Sequence, residues 1–321
     1  MRRVPRLSPR AYRRVTFLAA VLLAIIIVTG GAVRLTDSGL GCPDWPNCSP
    51  GRLAPRETSD ANAMIEFVNR VFTGLVSVAV ILAVLGSLVR VRRRRDLVWL
   101  SFGLVAGVFA QAVLGGLTVL FHLKPQFVMA HFLLSLVLLT NALVLHRRAG
   151  QPGGRARPVA PRLVVLMSWL LLAAATIVVA TGTVVTGAGP HSGGGREDDV
   201  ERLDLYIPDV ARVHGTSVVV FLTLVLVTLV VLRRARAPVH VHQRLGVLLA
   251  VLVAQAGVGY AQYFNDIPAL LVGIHIAGAT AVWAAVVCFH LGLLAPNEEA
   301  ANVPGDGGAG STDRRLAAVL R

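Results

Sequence analysis

The chain has 321 residues, of which 55% are hydrophobic and only 15% charged, and its mean hydropathy is +0.68. A soluble domain carries nearer a quarter charged residues, so a water-soluble globular fold is excluded. A net charge of +14 would suit nucleic acid, but the arginines lie between apolar blocks, where they set membrane topology and meet anionic lipid.

In chain order, residues 1–14 form a basic N-terminal segment with Arg2, Arg3, Arg6, Arg10, Arg13 and Arg14. Apolar blocks follow at 15–33, 64–89, 97–121 and 126–145, then a Gly/Pro/Arg linker at 147–162. Four more blocks occupy 163–188, 210–232, 245–264 and 267–294, ahead of a tail at 295–321 with the composition of a disordered segment. Each block approximates the ~20 residues that a helix needs to cross a bilayer. Backbone groups in lipid must be satisfied within the segment, and the alternation of a membrane barrel is absent. The expectation is an all-α protein with eight transmembrane helices. Arg90 and Arg92–Arg95, the linker arginines, and Arg233, Arg234, Arg236 and Arg244 all fall on the side of the N-terminus. The positive-inside rule then places both termini in the cytoplasm, in a multi-pass cell (inner) membrane protein.

The chain also repeats itself. Ala110-Gln111-Ala112 returns as Ala254-Gln255-Ala256, with Gly115 and Gly259 four residues after each Gln and His131 and His275 20 residues after it. Val28-Thr29-Gly30-Gly31 matches Ala180-Thr181-Gly182-Thr183. Four spans per half give two parallel repeats, 15–146 and 163–294, an arrangement that places sites in the bundle interior.

Of nine histidines, His131, His214 and His275 lie within spans, where an ionisable residue is a functional hypothesis by default. His214 and His275 fall at one depth on two helices and could clamp an iron porphyrin axially. Gly215, Gly257, Gly259, Gly273 and Gly278 would leave room for a macrocycle, although glycine is also ordinary helix-packing currency. Arg212 could meet propionates or simply anchor the interface. Zinc suits the pair less well, because no Cys or carboxylate completes four ligands. In the first half His131 matches His275, but the position matching His214 is Asn69: Asn69 to His131 spans 62 residues and His214 to His275 spans 61. Glu66, three residues before Asn69, shares its helix face. It is either functional or a partner for Arg70. Cys42 and Cys48, in the first outer loop, are either bridged or two free thiols.

These motifs resemble those of the haem A synthase family. Gly31-Ala32-Val33-Arg34-Leu35-Thr36-Asp37-Ser38-Gly39-Leu40-Gly41-Cys42-Pro43-Asp44-Trp45-Pro46 is similar to the family's outer-loop signature, and Glu66-Phe67-Val68-Asn69-Arg70 to its second-span motif. Leu114–Val119 with His131, and Thr181–His191, resemble later motifs, so the likeness covers about 15–294. The resemblance implies oxidation of the C8 methyl of haem O to a formyl by successive hydroxylations, for cytochrome c oxidase assembly. It implies haem B held by His214 and His275, substrate haem held by His131, and Glu66 beside the methyl. Arg34, Arg70 and Arg212 are candidate propionate contacts, and Cys42–Cys48 would be the outer-loop disulfide. Haem O synthase and an electron-transfer protein are the implied partners.

Two departures stand out. Asn69 occupies a position where better-known members have His, so the expectation is five-coordinate substrate haem with Asn69 hydrogen-bonding a sixth ligand. Residues 188–210 contain no second Cys pair. The rival readings are a non-catalytic bis-His cytochrome working with quinol, which gives Glu66 no role, and a transporter, for which paired mid-span helix breaks are absent. A purely structural assembly factor leaves the intramembrane histidines unexplained.

Overall fold

The computed structural model describes residues 6–154, 156–194 and 200–296. It contains eight helices, each long and apolar enough to cross a membrane: α1 (Pro9–Leu35), α2 (Ala61–Val89), α3 (Arg95–Leu120), α4 (Pro125–Ala149), α5 (Arg162–Ala188), α6 (Ile207–Arg234), α7 (Val239–Phe264) and α8 (Ala269–Gly292). Several helices begin before the apolar block that announced them, as α1 does at Pro9 and α7 at Val239. Hydropathy senses only the apolar stretch, whereas capped, arginine-bearing turns extend the helix beyond it. Ser8 caps α1 through a 3.2 Å bond from the Ala11 N–H, with Pro9 in the first turn, and Asp60 accepts from Ala63 at 3.0 Å to start α2. Pro161, Pro238 and Pro268 stand at the N-caps of α5, α7 and α8.

Helices pair in sequence order, α1 on α2, α3 on α4, α5 on α6 and α7 on α8. α1 also packs on α4 and α5 on α8, while α1 meets α8, and α4 meets both α5 and α8. This leaves α1, α4, α5 and α8 at the centre and puts the other four outside. One apolar core, with Tyr12, Leu97, Leu104 and Leu139, lies within α1–α4, and a second, with Leu171, Phe221, Val286 and Phe289, within α5–α8. Trp283 joins them, its indole N–H reaching the Leu136 carbonyl and the Thr140 hydroxyl across the α4–α8 contact. Outward faces are apolar instead, with Trp99 70% and Phe109 71% exposed, as a lipid-facing surface requires.

The α3–α4 and α7–α8 turns share one backbone solution. His122 and Leu123 take φ of 49° and 57°, and Asp266 and Ile267 take 58° and 54°. The Leu123 N–H bonds the Thr118 carbonyl and the Ile267 N–H the Gln262 carbonyl, each at 2.8 Å. The linker holds one feature absent from the all-helical expectation. Strand β1 (Ala156–Pro158) pairs antiparallel with β2 (Leu294–Pro296), tying the crossover between halves to the end of α8. Two three-residue strands carry too little pattern to be read from a sequence. Residues 295 and 296 thus belong to β2, and the remainder of the expected disordered tail, 297–321, lies outside the described residues.

Candidate functional site

His214 stands two turns into α6 and His275 two turns into α8, which brings the two rings close together, edge to face, within the last four helices. Their centroids are 6.4 Å apart and their planes 73° apart. Each ring lies over a glycine. A Cβ on Gly182 of α5 would meet His214 Cε1 at 3.1 Å, and one on Gly259 of α7 would meet His275 Cε1 at 3.1 Å. Any larger residue there would push the imidazole aside. The Thr181 hydroxyl is 3.2 Å from His214 Nδ1 and 3.1 Å from the Ser217 hydroxyl, while Ser217 donates to the His214 carbonyl at 2.7 Å. The Nδ1 side of His214 is therefore engaged, which leaves Nε2 as the nitrogen free to act as a ligand. On α8, Gln255 donates to the His275 carbonyl at 2.8 Å, and His275 Nδ1 is buried with no hydrogen-bond partner.

The first four helices rebuild half of this. Gln111 donates to the His131 carbonyl at 3.1 Å and to the Ser135 hydroxyl at 2.6 Å, and a Cβ on Gly115 would meet His131 Cε1 at 3.4 Å. His131 Nδ1, like that of His275, is buried and unpartnered. The position that matches His214 differs. Asn69 Oδ1 is buried without a partner, and a Cβ on Gly30 would meet nothing within 4 Å.

Glu66 is 6% exposed and both its oxygens are engaged. Oε2 accepts from the Cys42 N–H at 2.8 Å, and Oε1 accepts from Arg70 Nε at 3.0 Å and from its Nη2. Arg70 spends its remaining donors on the Cys42 carbonyl at 2.8 Å and the Asn47 carbonyl at 2.7 Å. Cys42 and Cys48 form a disulfide, and Trp45 from the same loop lies against Gly116 of α3. The pairing of Glu66 with Arg70 is thus present, and it does more than neutralise charge: it fastens the disulfide loop to α2.

The other arginines are less alike than the sequence suggested. Arg34 donates to the carbonyls of His191 at 2.7 Å and Thr186 at 2.9 Å, tying the end of α1 to the last turn of α5 and the segment after it. Arg212 is 76% exposed and pairs with Asp209 at 3.0 Å. Of the five glycines expected to make room, Gly259 abuts a histidine ring, Gly273 faces Leu35, and a Cβ on Gly278 would overlap the Gln255 amide. A Cβ on Gly215 or Gly257 would meet nothing within 4 Å. The roles of Thr181 and Gly182 were not read from sequence, although both sit in a recognised internal match.

Fold and site together define a multi-span membrane protein with imidazoles facing one another between helices near one end of the bundle. The sequence profile of the COX15-CtaA cytochrome oxidase assembly proteins matches residues 13–190, more than half of the chain, and the chain belongs to this family. The match holds Cys42, Cys48, Glu66, Asn69 and His131 and stops before His214 and His275. The chain is 35% identical over 193 residues to a haem A synthase of Symbiobacterium thermophilum, covering 56% of this chain and 60% of the relative. A haem A synthase of Exiguobacterium sibiricum is 32% identical over 172 residues, 52% of this chain and 56% of the relative. One from Lysinibacillus sphaericus is 34% identical over 129 residues, 40% and 41% of the two chains. The chain spans about half the length of the curated relatives it matches.

Proposed function

We propose that the protein is a haem A synthase, oxidising the C8 methyl of haem O to a formyl by successive hydroxylations for cytochrome c oxidase assembly. The observation that carries this reading is the inequality of two otherwise matched sites, a paired-imidazole frame in one half and a single imidazole with Asn69 in the other. The matched turns, glutamines and glycines support two parallel four-helix repeats, 15–146 and 163–294, joined by the 147–162 linker. The arginine placement supports cytoplasmic termini in the cell membrane.

The residues of the second half fit a haem. An imidazole nitrogen sits about 2.0–2.1 Å from a bound metal, so two rings on opposite sides of one iron have centres on the order of 6 Å apart. The 6.4 Å separation of His214 and His275 meets that requirement. His214 and His275 would suit an iron whose remaining donors come from a macrocycle, and among the described residues no group of three His, Cys, Asp or Glu side chains converges as a metal site. His214 and His275 would hold the iron of haem B, with Thr181 fixing the tautomer of His214. When bound, this haem supplies one-electron transfer.

In the first half His131 would hold substrate haem O. Glu66 would lie near the reacting methyl, where its carboxylate takes up protons or offsets positive charge, and the Cys42 N–H and Arg70 keep it oriented. Arg34 and Arg70 would reach propionates only with donors not already committed to carbonyls, and Arg212 from the exposed end of α6. Haem O synthase and an electron carrier are the partners that substrate delivery and electron balance call for.

The test is haem extraction and chromatography from membranes of a haem O-producing host, with and without this chain. Haem A formed by the wild type and absent with Glu66→Gln supports the synthase. Bound haem B with haem O left unchanged, under adequate electron supply, supports a plain bis-His cytochrome instead.

A further inference from the structure

The bed that holds His214 has a counterpart in the first half, built from the same residue types and without the ring. Thr181 and Gly182 of α5 match Thr29 and Gly30 of α1. Thr181 faces His214 Nδ1 at 3.2 Å, whereas Thr29 bonds only the Ile26 carbonyl of its own helix, at 3.3 Å. Gly182 lies under His214 Cε1, whereas a Cβ on Gly30 would meet nothing within 4 Å. Asn69 stands where His214 would, and its Oδ1 is buried and lacks a partner. A buried amide oxygen without a hydrogen bond is costly, so its persistence calls for a donor. An asparagine side chain is also shorter than a histidine by the outer part of the ring, which leaves room between it and anything that His131 ligates.

Building on the assignment of His131 to the substrate haem, we propose that Gly30, Thr29 and Asn69 form a receptor for a small exogenous sixth ligand. The ligand is no larger than imidazole and carries an N–H or O–H that donates to Asn69 Oδ1. Gly30 supplies the space for a flat ligand and Asn69 its orientation. The second half has no such receptor, because His214 fills it. The two haems of one chain thus differ in kind, one sealed by protein on both faces and one accessible from the Asn69 side.

The probe is imidazole itself, added to purified, detergent-solubilised full-length protein loaded with haem in a haem O-producing host. Spin state is read by electron paramagnetic resonance and optical spectroscopy, and haem content is measured in parallel. The wild type is expected to hold a high-spin haem fraction that vanishes in His131→Ala and that imidazole converts to low spin. Asn69→His should make that fraction low-spin without added imidazole and abolish the response. Gly30→Leu should keep the haem and weaken imidazole binding by about tenfold or more. If His131-dependent haem is present but entirely low-spin and indifferent to imidazole, the receptor is refuted while the substrate-site assignment stands. If no haem depends on His131, the assignment and the receptor fall together.

Discussion

The first four helices and the last four share the same supports and set different residues against them. Gln111 and Gln255 each hold a histidine carbonyl, and Gly115 and Gly259 each underlie an imidazole. The α3–α4 and α7–α8 turns share their left-handed residues. What differs is the facing helix, where α6 offers His214 and α2 offers Asn69, with Glu66 one turn away. The comparison teaches that the scaffold fixes where a histidine points, and that the residue across from it decides whether the site is closed. A second difference lies above the sites. The first half carries a disulfide loop bonded to Glu66 and Arg70, and the described part of the matching segment after α5 is held by Arg34 and His191 instead.

The largest expected effect breaks the comparison at its closed end. His275→Ala, or His214→Ala, should remove one axial ligand and reduce second-half haem per chain by about tenfold or more. Haem content measured by pyridine haemochrome on purified protein checks this. His131→Ala should leave that haem in place, and equal losses from all three substitutions would mean that the halves do not bind independently.

Next in size is Glu66→Gln. It keeps the shape of the side chain and lets the amide oxygen accept from Cys42 or Arg70, but it removes the charge that faces Arg70. Leaving Arg70 partly buried without its counter-charge is expected to cost about 3 kcal/mol. Haem A should fall to background by chromatography, and the Cys42–Cys48 bridge should become more accessible to reductant. Lost haem A with unchanged reductant accessibility would place the role of Glu66 in the chemistry alone.

The glycine beds come next. Gly182→Val or Gly259→Val would put side-chain atoms where His214 or His275 Cε1 now lies 3.1 Å from a Cβ position. Overpacking of this kind costs about 1–3 kcal/mol. The expected outcome is weaker haem retention on dilution, with a shifted spectrum. Gly30→Val should leave second-half haem untouched, since among the described residues nothing lies within 4 Å of the corresponding Cβ position.

How much of this could be read from the residues follows from what kind of partner each one has. The eight spans were legible because lipid demands long apolar runs. The histidine, glutamine and glycine register was legible because the chain presents it twice. Arg34 and Arg70 were harder: they bond backbone carbonyls at 186, 191, 42 and 47, and a carbonyl has no sequence signature. Glu66 showed its position on the Asn69 face, but the Cys42 N–H that holds it comes from a loop whose path no periodicity reports. Gly182 sat in a recognised match and went unread because a bed is recognisable only once the ring above it is placed.

The smallest expected effect sharpens the comparison most finely. Gln111→Leu and Gln255→Leu are close in volume and remove the same support in the two halves. A polar contact within a membrane bundle contributes about 0.6 kcal/mol on average, so each loss should lower the thermal midpoint by only about 1–3 °C. Gln111 makes two contacts, to the His131 carbonyl and the Ser135 hydroxyl, and Gln255 makes one, to the His275 carbonyl. Gln111→Leu should therefore cost more in haem-free protein. Loading with haem should reverse the order, because His275 then shares a ligand with His214 across two helices, whereas His131 has no histidine facing it. Thermal unfolding of both variants with and without haem measures the four midpoints, and an unchanged order on loading would mean that His275 does not hold haem together with His214.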